Sequence, residues 1–309
     1  MKATTHTEVY RRYAGKLAPP RRAFLTIARS GVRVALRNKW ALLLYVPAII
    51  ATVIFSFVVY AKFSLEQGVT PSALTGGGNA PTPGVAMIGS VAGRMIEVRD
   101  VIVSVIFVLG MFSVLLVAWY GAGLVCEDRR LGAHLLYFAR PISLANYVLG
   151  KLCVVGVFVL ASVLVPGLVI CSVAVFASPD WSFLREQGWV ILQVVAFSSV
   201  NTLVLSSIVL ALSTLASRRI FALIATVGFF LFTQVLGMIL ARLQHEAQWM
   251  AIGPLANLRR VAAATFGIEK LDGFRLNWPA EASWWALAAT LVVAWTIIVV
   301  RVKRMESLA

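Results

Sequence analysis

Charged residues are scarce in this chain, and their absence is concentrated in long runs. Only 13% of the 309 residues are Asp, Glu, Lys or Arg, whereas 60% are hydrophobic. No charged residue occurs in 40–60, 101–125, 152–176, 189–215, 220–240 or 284–300. About 17 to 25 apolar residues in a helix suffice to cross a bilayer core of roughly 30 Å. The sequence therefore predicts an all-α polytopic membrane protein with six transmembrane helices.

The motifs of independent chemistry are also missing, which argues against an enzyme. The three histidines are dispersed, and His245-Glu246 lacks the second histidine of a zinc-binding H-E-x-x-H helix. Gly150-Lys151 has no glycine five residues earlier and no following Ser or Thr, so it is not a phosphate-binding P-loop. The three cysteines lie in or beside the apolar runs and suggest no disulfide framework. We expect no catalytic residue, no metal site and no cofactor in this chain.

The scarce charge is unevenly distributed, and this predicts the orientation of the chain. With both termini in the cytosol, the cytoplasmic segments hold 19 of the 28 Lys and Arg residues, against 9 on the other side. The positive-inside rule selects this orientation. Anionic lipid headgroups are a sufficient partner for the net charge of +15, so we expect no nucleic acid.

Three regions follow from these patterns. Residues 1–39 are predicted to form a cytoplasmic tail and an amphipathic interfacial helix, because Arg22, Arg29, Arg33 and Arg37 share one sector of a helical wheel. An ordinary basic anchor would explain the same arginines. Residues 40–300 are the six-helix transmembrane domain, and residues 301–309 are a second cytoplasmic tail.

The segment 126–151, which joins the second and third spans, is unusually apolar for a cytoplasmic connection. Its predicted short helix contains Leu135, Leu136 and Phe138, beside charged residues. An exposed apolar patch next to charges indicates a docking surface, although the helix could instead lie against lipid. Pro141 disfavours helix at the preceding residue and Ser143 can cap the next helix, which predicts a rigid corner.

This segment resembles the corresponding loop of ABC-2 type ABC transporter permeases. The matching features, in order, are Glu127, Gly132, Leu135, Leu136, Pro141, Ser143, Gly150 and Lys151. The resemblance implies a permease subunit that pairs with a second copy or close paralogue and with two cytoplasmic ABC ATPase subunits. ATP and Mg would bind the partner ATPases. A short coupling helix would contact them through Glu127, Asp128, Gly132, Leu135, Leu136, Phe138, Pro141, Ser143, Gly150 and Lys151.

The resemblance further implies an exporter in the bacterial inner (plasma) membrane, with a lipid-like, peptide, drug or polysaccharide cargo. Two other functions are alternatives to this one. A non-transporting membrane scaffold could recruit a soluble partner through the segment 126–151. An ion-driven carrier is disfavoured, because such carriers usually keep ionisable side chains near the midplane and these six spans contain none.

Uncharged polar residues do occur inside the predicted spans. Ser199, Ser206 and Ser213 repeat every seven residues, which aligns them along one helix face. Such residues commonly let helices approach closely and hydrogen-bond across a bundle, at about 0.6 kcal/mol each. The functional alternative is a polar lining for a translocation path or subunit seam, with Asn201, Ser199, Ser206 and Gln234 as the candidates.

Overall fold

The computed structural model describes residues 23–37, 43–66, 98–133, 143–268, 270–271, 274–275 and 278–306, and these are almost entirely helical. The α-helices are α1 (Ala23–Leu36), α2 (Val46–Glu66), α3 (Val98–Gly121), α4 (Gly123–Arg130), α5 (Leu144–Ala177), α6 (Ser182–Gln187), α7 (Trp189–Leu215), α8 (Arg219–Leu243), α9 (Pro254–Phe266) and α10 (Ala280–Glu306). Short 3-10 turns cover Pro179–Trp181 and Ala247–Ile252. Two strands of two residues, β1 (Lys270–Leu271) and β2 (Phe274–Arg275), pair antiparallel.

Six helical segments are long and apolar enough to cross a membrane, which confirms the predicted all-α polytopic class. They lie in α2, α3 with α4, α5, α7, α8 and α10. Several helices extend beyond the predicted bounds: α5 begins at Leu144 rather than at 152, and the second span continues through α4 to Arg130 rather than ending at 125. The charge-free runs mark only the hydrocarbon crossing, and a helix can continue past it with polar side chains in the headgroup region.

The first span begins later than the sequence predicts. Helix α2 starts at Val46 instead of residue 40, after turns at Leu44 and Tyr45. Residues 38–42 lie outside the described part of the chain.

Three of the spans form the centre of the bundle. The most apolar stretches of the spans in α3, α5 and α7 are 50 to 67% buried, whereas those of α2, α8 and α10 are 22% buried. Helix α5 contacts α1, α2, α3 and α7. Its length of 34 residues, about 51 Å, lets it pack along most of the bundle. The outer faces of α2, α8 and α10 are therefore the surface that lipid or a second subunit can cover.

Helix α1 packs against the first half of α5 through glycines. A Cβ on Gly31 would lie 2.5 Å from Val154 Cγ2, and one on Gly150 would lie 2.8 Å from Ile27 Cβ. Ile27 is buried in this contact, while Arg29 and Arg33 are exposed. The helix is thus present where the sequence predicts it; its position in the membrane interface stays a prediction.

The chain re-enters the bundle after α8. A Cβ on Gly253, just before α9, would lie 3.3 Å from Gln234 Oε1. Gln234 lies nine residues before the end of α8 at Leu243, so this point is about 14 Å inside that end of the helix. Helix α9 then returns outward, and Gln193 near the start of α7 donates a hydrogen bond of 2.7 Å to Thr265 O.

Candidate functional site

The second span is interrupted at Ala122, and a serine from α7 joins the two parts. Ala122 separates α3 from α4 and provides no side-chain cap for the first amides of α4. Ser213 Oγ accepts hydrogen bonds from Val125 N at 3.2 Å and Cys126 N at 3.4 Å, and it donates to Ala122 O at 2.8 Å. Free amides at a helix start need such acceptors. Helix α4 therefore depends on a side chain of another span.

We call the end of the bundle that contains α4 the basic end, because its described residues include Arg129, Arg130, Lys151, Arg218, Arg219, Arg301, Lys303 and Arg304. An ion pair there connects α4 to α5. Lys151 Nζ lies 2.7 Å from Asp128 Oδ2, and both side chains are largely buried, with exposures of 9% and 17%. Tyr147, one turn before Lys151, donates a hydrogen bond of 2.8 Å to the same carboxylate oxygen. Because both groups are shielded from water, loss of either partner would leave an uncompensated charge, which costs more than the loss of a surface ion pair.

Two arginines extend the network to α7 and α8. Arg129 donates hydrogen bonds to Thr214 O, at 3.1 Å, and to Ala216 O, at the carboxyl end of α7. Positive charge there complements the partial negative charge of a helix end. Arg219, the first residue of α8, donates to Trp119 O at 3.3 Å and lies over the Trp119 ring. Helix α4 and its neighbours thus connect four spans at the basic end.

Several predicted coupling residues shape the turns of this end. Gly132 follows α4 with φ +69°, in the left-handed region that glycine adopts most easily. Ser143 caps α5 as predicted, since its Oγ accepts a hydrogen bond from Asn146 N at 3.3 Å. Gly150 allows α1 to approach α5, as described above. Glu127 Oε2 lies 3.0 Å from where a Cβ on Gly123 would be, so the Glu127 side chain packs against the start of α4.

The remaining predicted coupling residues fall into two groups. Leu135, Leu136, Phe138 and Pro141 lie in 134–142, outside the described residues. Asp128 and Lys151 are also predicted coupling residues. In the structure the two are paired with each other, and Lys151 is buried within α5.

The four predicted path residues differ in burial and in their hydrogen bonds. Ser199 is exposed and donates to Val195 O within its own helix, whereas Ser206 is buried and donates to Thr202 O. Asn201 is 4% exposed at the centre of α7, and Gln234 lies beside Gly253. Asn201 Nδ2 and Gln234 Oε1 have no hydrogen-bond partner among the residues that the structure describes. A shared polar path along these four residues stays a prediction.

Sequence reasoning missed Tyr147 and the roles of Arg129 and Ser213 in this network. The signal for Tyr147 was its spacing of four residues from Lys151, which places both on one helix face. This spacing is informative only if both residues lie in one helix. The charge-free run predicted the third span from residue 152, whereas α5 begins at Leu144. The contacts of Arg129 and Ser213 join positions more than 80 residues apart, for which one sequence contains no local signal.

Comparison with known proteins found no relative of this chain. A scan against models of protein families found no match, and a search of curated proteins found no significant one.

Proposed function

We propose that this chain is the transmembrane subunit of an ATP-driven transporter of the ABC-2 type. Support comes from the ordered features of the segment 126–151 and from six helices able to cross a membrane. The observation that carries the proposal is the buried Asp128–Lys151 ion pair, because it joins the two helices that flank the predicted coupling segment.

A displacement of the segment 134–142 would act first on α4 and α5, which border it. The ion pair and the Tyr147 hydrogen bond make these two helices move together rather than separately. Helix α5 packs against α2, α3 and α7, so its movement would reach most of the bundle. A push from an attached ATPase could thus reach the far side of the membrane through rigid helices.

A second connection runs through Arg129 and Arg219. The first holds the carboxyl end of α7 and the second holds the amino end of α8 against Trp119. These contacts lie on either side of the short connection between α7 and α8. The connection would therefore follow α4 when it moves, which would alter the packing of the outer span α8 against the inner spans.

The partner is tested by purification of the tagged full chain from membranes of its own host in mild detergent. We expect an ATPase with a P-loop to co-purify at equal stoichiometry, and export to require its ATP hydrolysis. Co-purification of a soluble protein without a P-loop would instead support the scaffold function. Transport that follows an ion gradient without ATP would support a secondary carrier.

Coupling is tested in that complex with nitroxide labels at Leu131→Cys, beside the coupling segment, and at Trp189→Cys, at the opposite end of α7. Both positions are exposed, at 74% and 67%. In the parent chain, ATP with Mg should change the spectra of both labels. In Lys151→Met the change at position 131 should persist and the change at position 189 should fall several-fold.

Lys303→Met is the matched control, because Lys303 is exposed at the same end of the bundle. It should behave like the parent chain. A full response at position 189 in Lys151→Met would mean that the ion pair does not transmit the movement. No response to ATP at either position, with the ATPase bound, would contradict the permease function itself.

A further inference from the structure

The hydroxyl of Ser213 takes a position in the second span that the helix would otherwise fill with its own hydrogen bond. In a continuous α-helix the amide of Val125 would donate to the carbonyl of Gly121, four residues earlier. The helix is interrupted at Ala122, and Val125 N donates to Ser213 Oγ at 3.2 Å. Insertion of a side chain into the backbone hydrogen bonds is a common cause of a helix kink. A second arrangement is one in which the hydroxyl withdraws and the helix closes.

A carbonyl beside the interruption is occupied by another span in the same way. In a continuous helix Trp119 O would accept a hydrogen bond from Gly123 N. In the structure Arg219 of α8 donates to Trp119 O at 3.3 Å. The guanidinium carbon of Arg219 also lies 5.3 Å from the centre of the Trp119 ring. Closing the helix would remove the hydrogen bond of Arg219 to the carbonyl and leave its contact with the ring.

The withdrawn hydroxyl of Ser213 has another acceptor on its own helix. Ser199 and Ser206 on α7 both donate to the carbonyl four residues earlier. The corresponding acceptor for Ser213 is Val209 O. The two amides of α4 would at the same time regain carbonyls of the second span. Both arrangements therefore satisfy the buried polar groups, so their free energies should differ by only a few kcal/mol.

We infer that the second span contains a two-state joint at Ala122. The interrupted helix of this structure is the major state, and a continuous helix is the minor state. The backbone of Ala122 keeps helical dihedral angles, φ −56° and ψ −38°, so closing the helix requires only small rotations. Helix α4 has eight residues. It is thus about 12 Å long, and a change of about 10 to 20° at the joint displaces its end by roughly 2 to 4 Å.

The joint separates a fixed part of the second span from a part that can move. Leu116 and Val117, in α3 before the joint, are fully buried in the core, whereas Arg130 at the end of α4 is exposed. The ion pair of Asp128 with Lys151 connects α4 to α5. The joint therefore lets α4 follow α5 while α3 keeps its packing. This property belongs to the chain alone and does not depend on the proposed function.

The amide of Cys126 reports on the joint, because it is the second donor to Ser213 Oγ, at 3.4 Å. Labelling the deuterated full chain with ¹⁵N-cysteine gives NMR signals from three amides, those of Cys126, Cys153 and Cys171. Additional ¹³C-carbonyl valine identifies Cys126, because Val125 is the only valine that precedes a cysteine. The amides of Cys153 and Cys171 lie within α5 and are internal controls.

In detergent micelles we expect Cys126 alone to show a second signal or relaxation dispersion on the microsecond to millisecond timescale. The minor state should have a population of roughly 1 to 10%. A single Cys126 signal without dispersion would overturn the inference. Equal dispersion at all three cysteines would also overturn it, since the motion would then belong to the whole bundle. These results come from the parent chain and need no variant to fold.

Ser213→Ala removes the inserted hydroxyl, so the Cys126 signal should move to the position of the minor state and lose its dispersion. Ser213→Thr keeps a hydroxyl and should keep both states. Ser206→Ala is the matched control, because that buried hydroxyl bonds within α7, and the Cys126 signal should not change. Unchanged dispersion in Ser213→Ala would mean that the motion does not involve the hydroxyl, which would overturn the inference. No ATPase is present, so failure here leaves the proposed function untouched.

Discussion

At the scale of single residues, identical side chains in one repeat have different roles. Ser199, Ser206 and Ser213 share a seven-residue spacing, but their neighbours differ with depth in the bundle. Ser199 is exposed and forms a hydrogen bond only within α7, whereas Ser213 is buried and accepts hydrogen bonds from amides of α4. The repeat thus predicts a common face of the helix and not a common function.

Ser213→Ala should destabilise the protein by roughly 1 to 3 kcal/mol, because the buried amides of Val125 and Cys126 lose the Ser213 hydroxyl as acceptor. Ala122 O keeps the Cys126 thiol as a donor. Ser199→Ala is the matched control and should change stability by less than about 0.5 kcal/mol. Unfolding of both variants in mixed detergent, with the parent chain alongside, gives the comparison. Equal stability of the two variants would mean that water replaces the Ser213 hydroxyl where the second span is interrupted at Ala122.

At the scale of elements, the packing of α1 on α5 depends on two glycines. Gly31 and Gly150 leave no room for a Cβ, whereas Gly156, further along α5, would place its Cβ 3.4 Å from Thr202. Glycine is unfavourable inside a helix by about 0.5 to 1 kcal/mol, so its presence at position 150 has to be offset by close packing. The close packing of α1 against Gly150 offsets this cost.

Gly150→Ala should therefore cost roughly 1 to 3 kcal/mol of stability through overpacking, although alanine is the better helix former. Its main effect should be a loosened α1, seen as faster trypsin cleavage after Arg29 and Arg33. Gly156→Ala, on the same helix, should leave both stability and cleavage close to those of the parent chain. Unchanged cleavage in Gly150→Ala would show that α1 tolerates the added methyl group by a small shift.

At the scale of the whole molecule, three inner spans carry most of the core and three outer spans expose their apolar faces. The basic residues of α4, α5 and α10, together with Arg219 of α8, gather at one end, whereas Arg242 lies at the other end of α8. If that end faces the cytosol, as the charge distribution predicts, both termini and the segment 126–151 lie where an ATPase could bind.

Labelling of single cysteines in intact cells tests this orientation. With the three natural cysteines replaced by alanine, an impermeant thiol reagent should label Glu246→Cys, which follows the end of α8. It should label Lys303→Cys only after permeabilisation. Both native side chains are exposed, so a reagent that reaches either side of the membrane should reach the cysteine there equally well. The reverse pattern would invert the orientation and remove the basis for a cytoplasmic partner.

The sequence by itself determined the number of spans and their approximate places, because hydrocarbon excludes charge and the charge-free runs must cross it. It also predicted the Ser143 cap, since capping depends on residues only a few positions apart. Tertiary structure decided the rest: the pairing of Asp128 with Lys151, the capping of α4 by Ser213 and the return of Gly253 to Gln234. These contacts depend on which helices become neighbours, and packing between distant segments, not local periodicity, decides that.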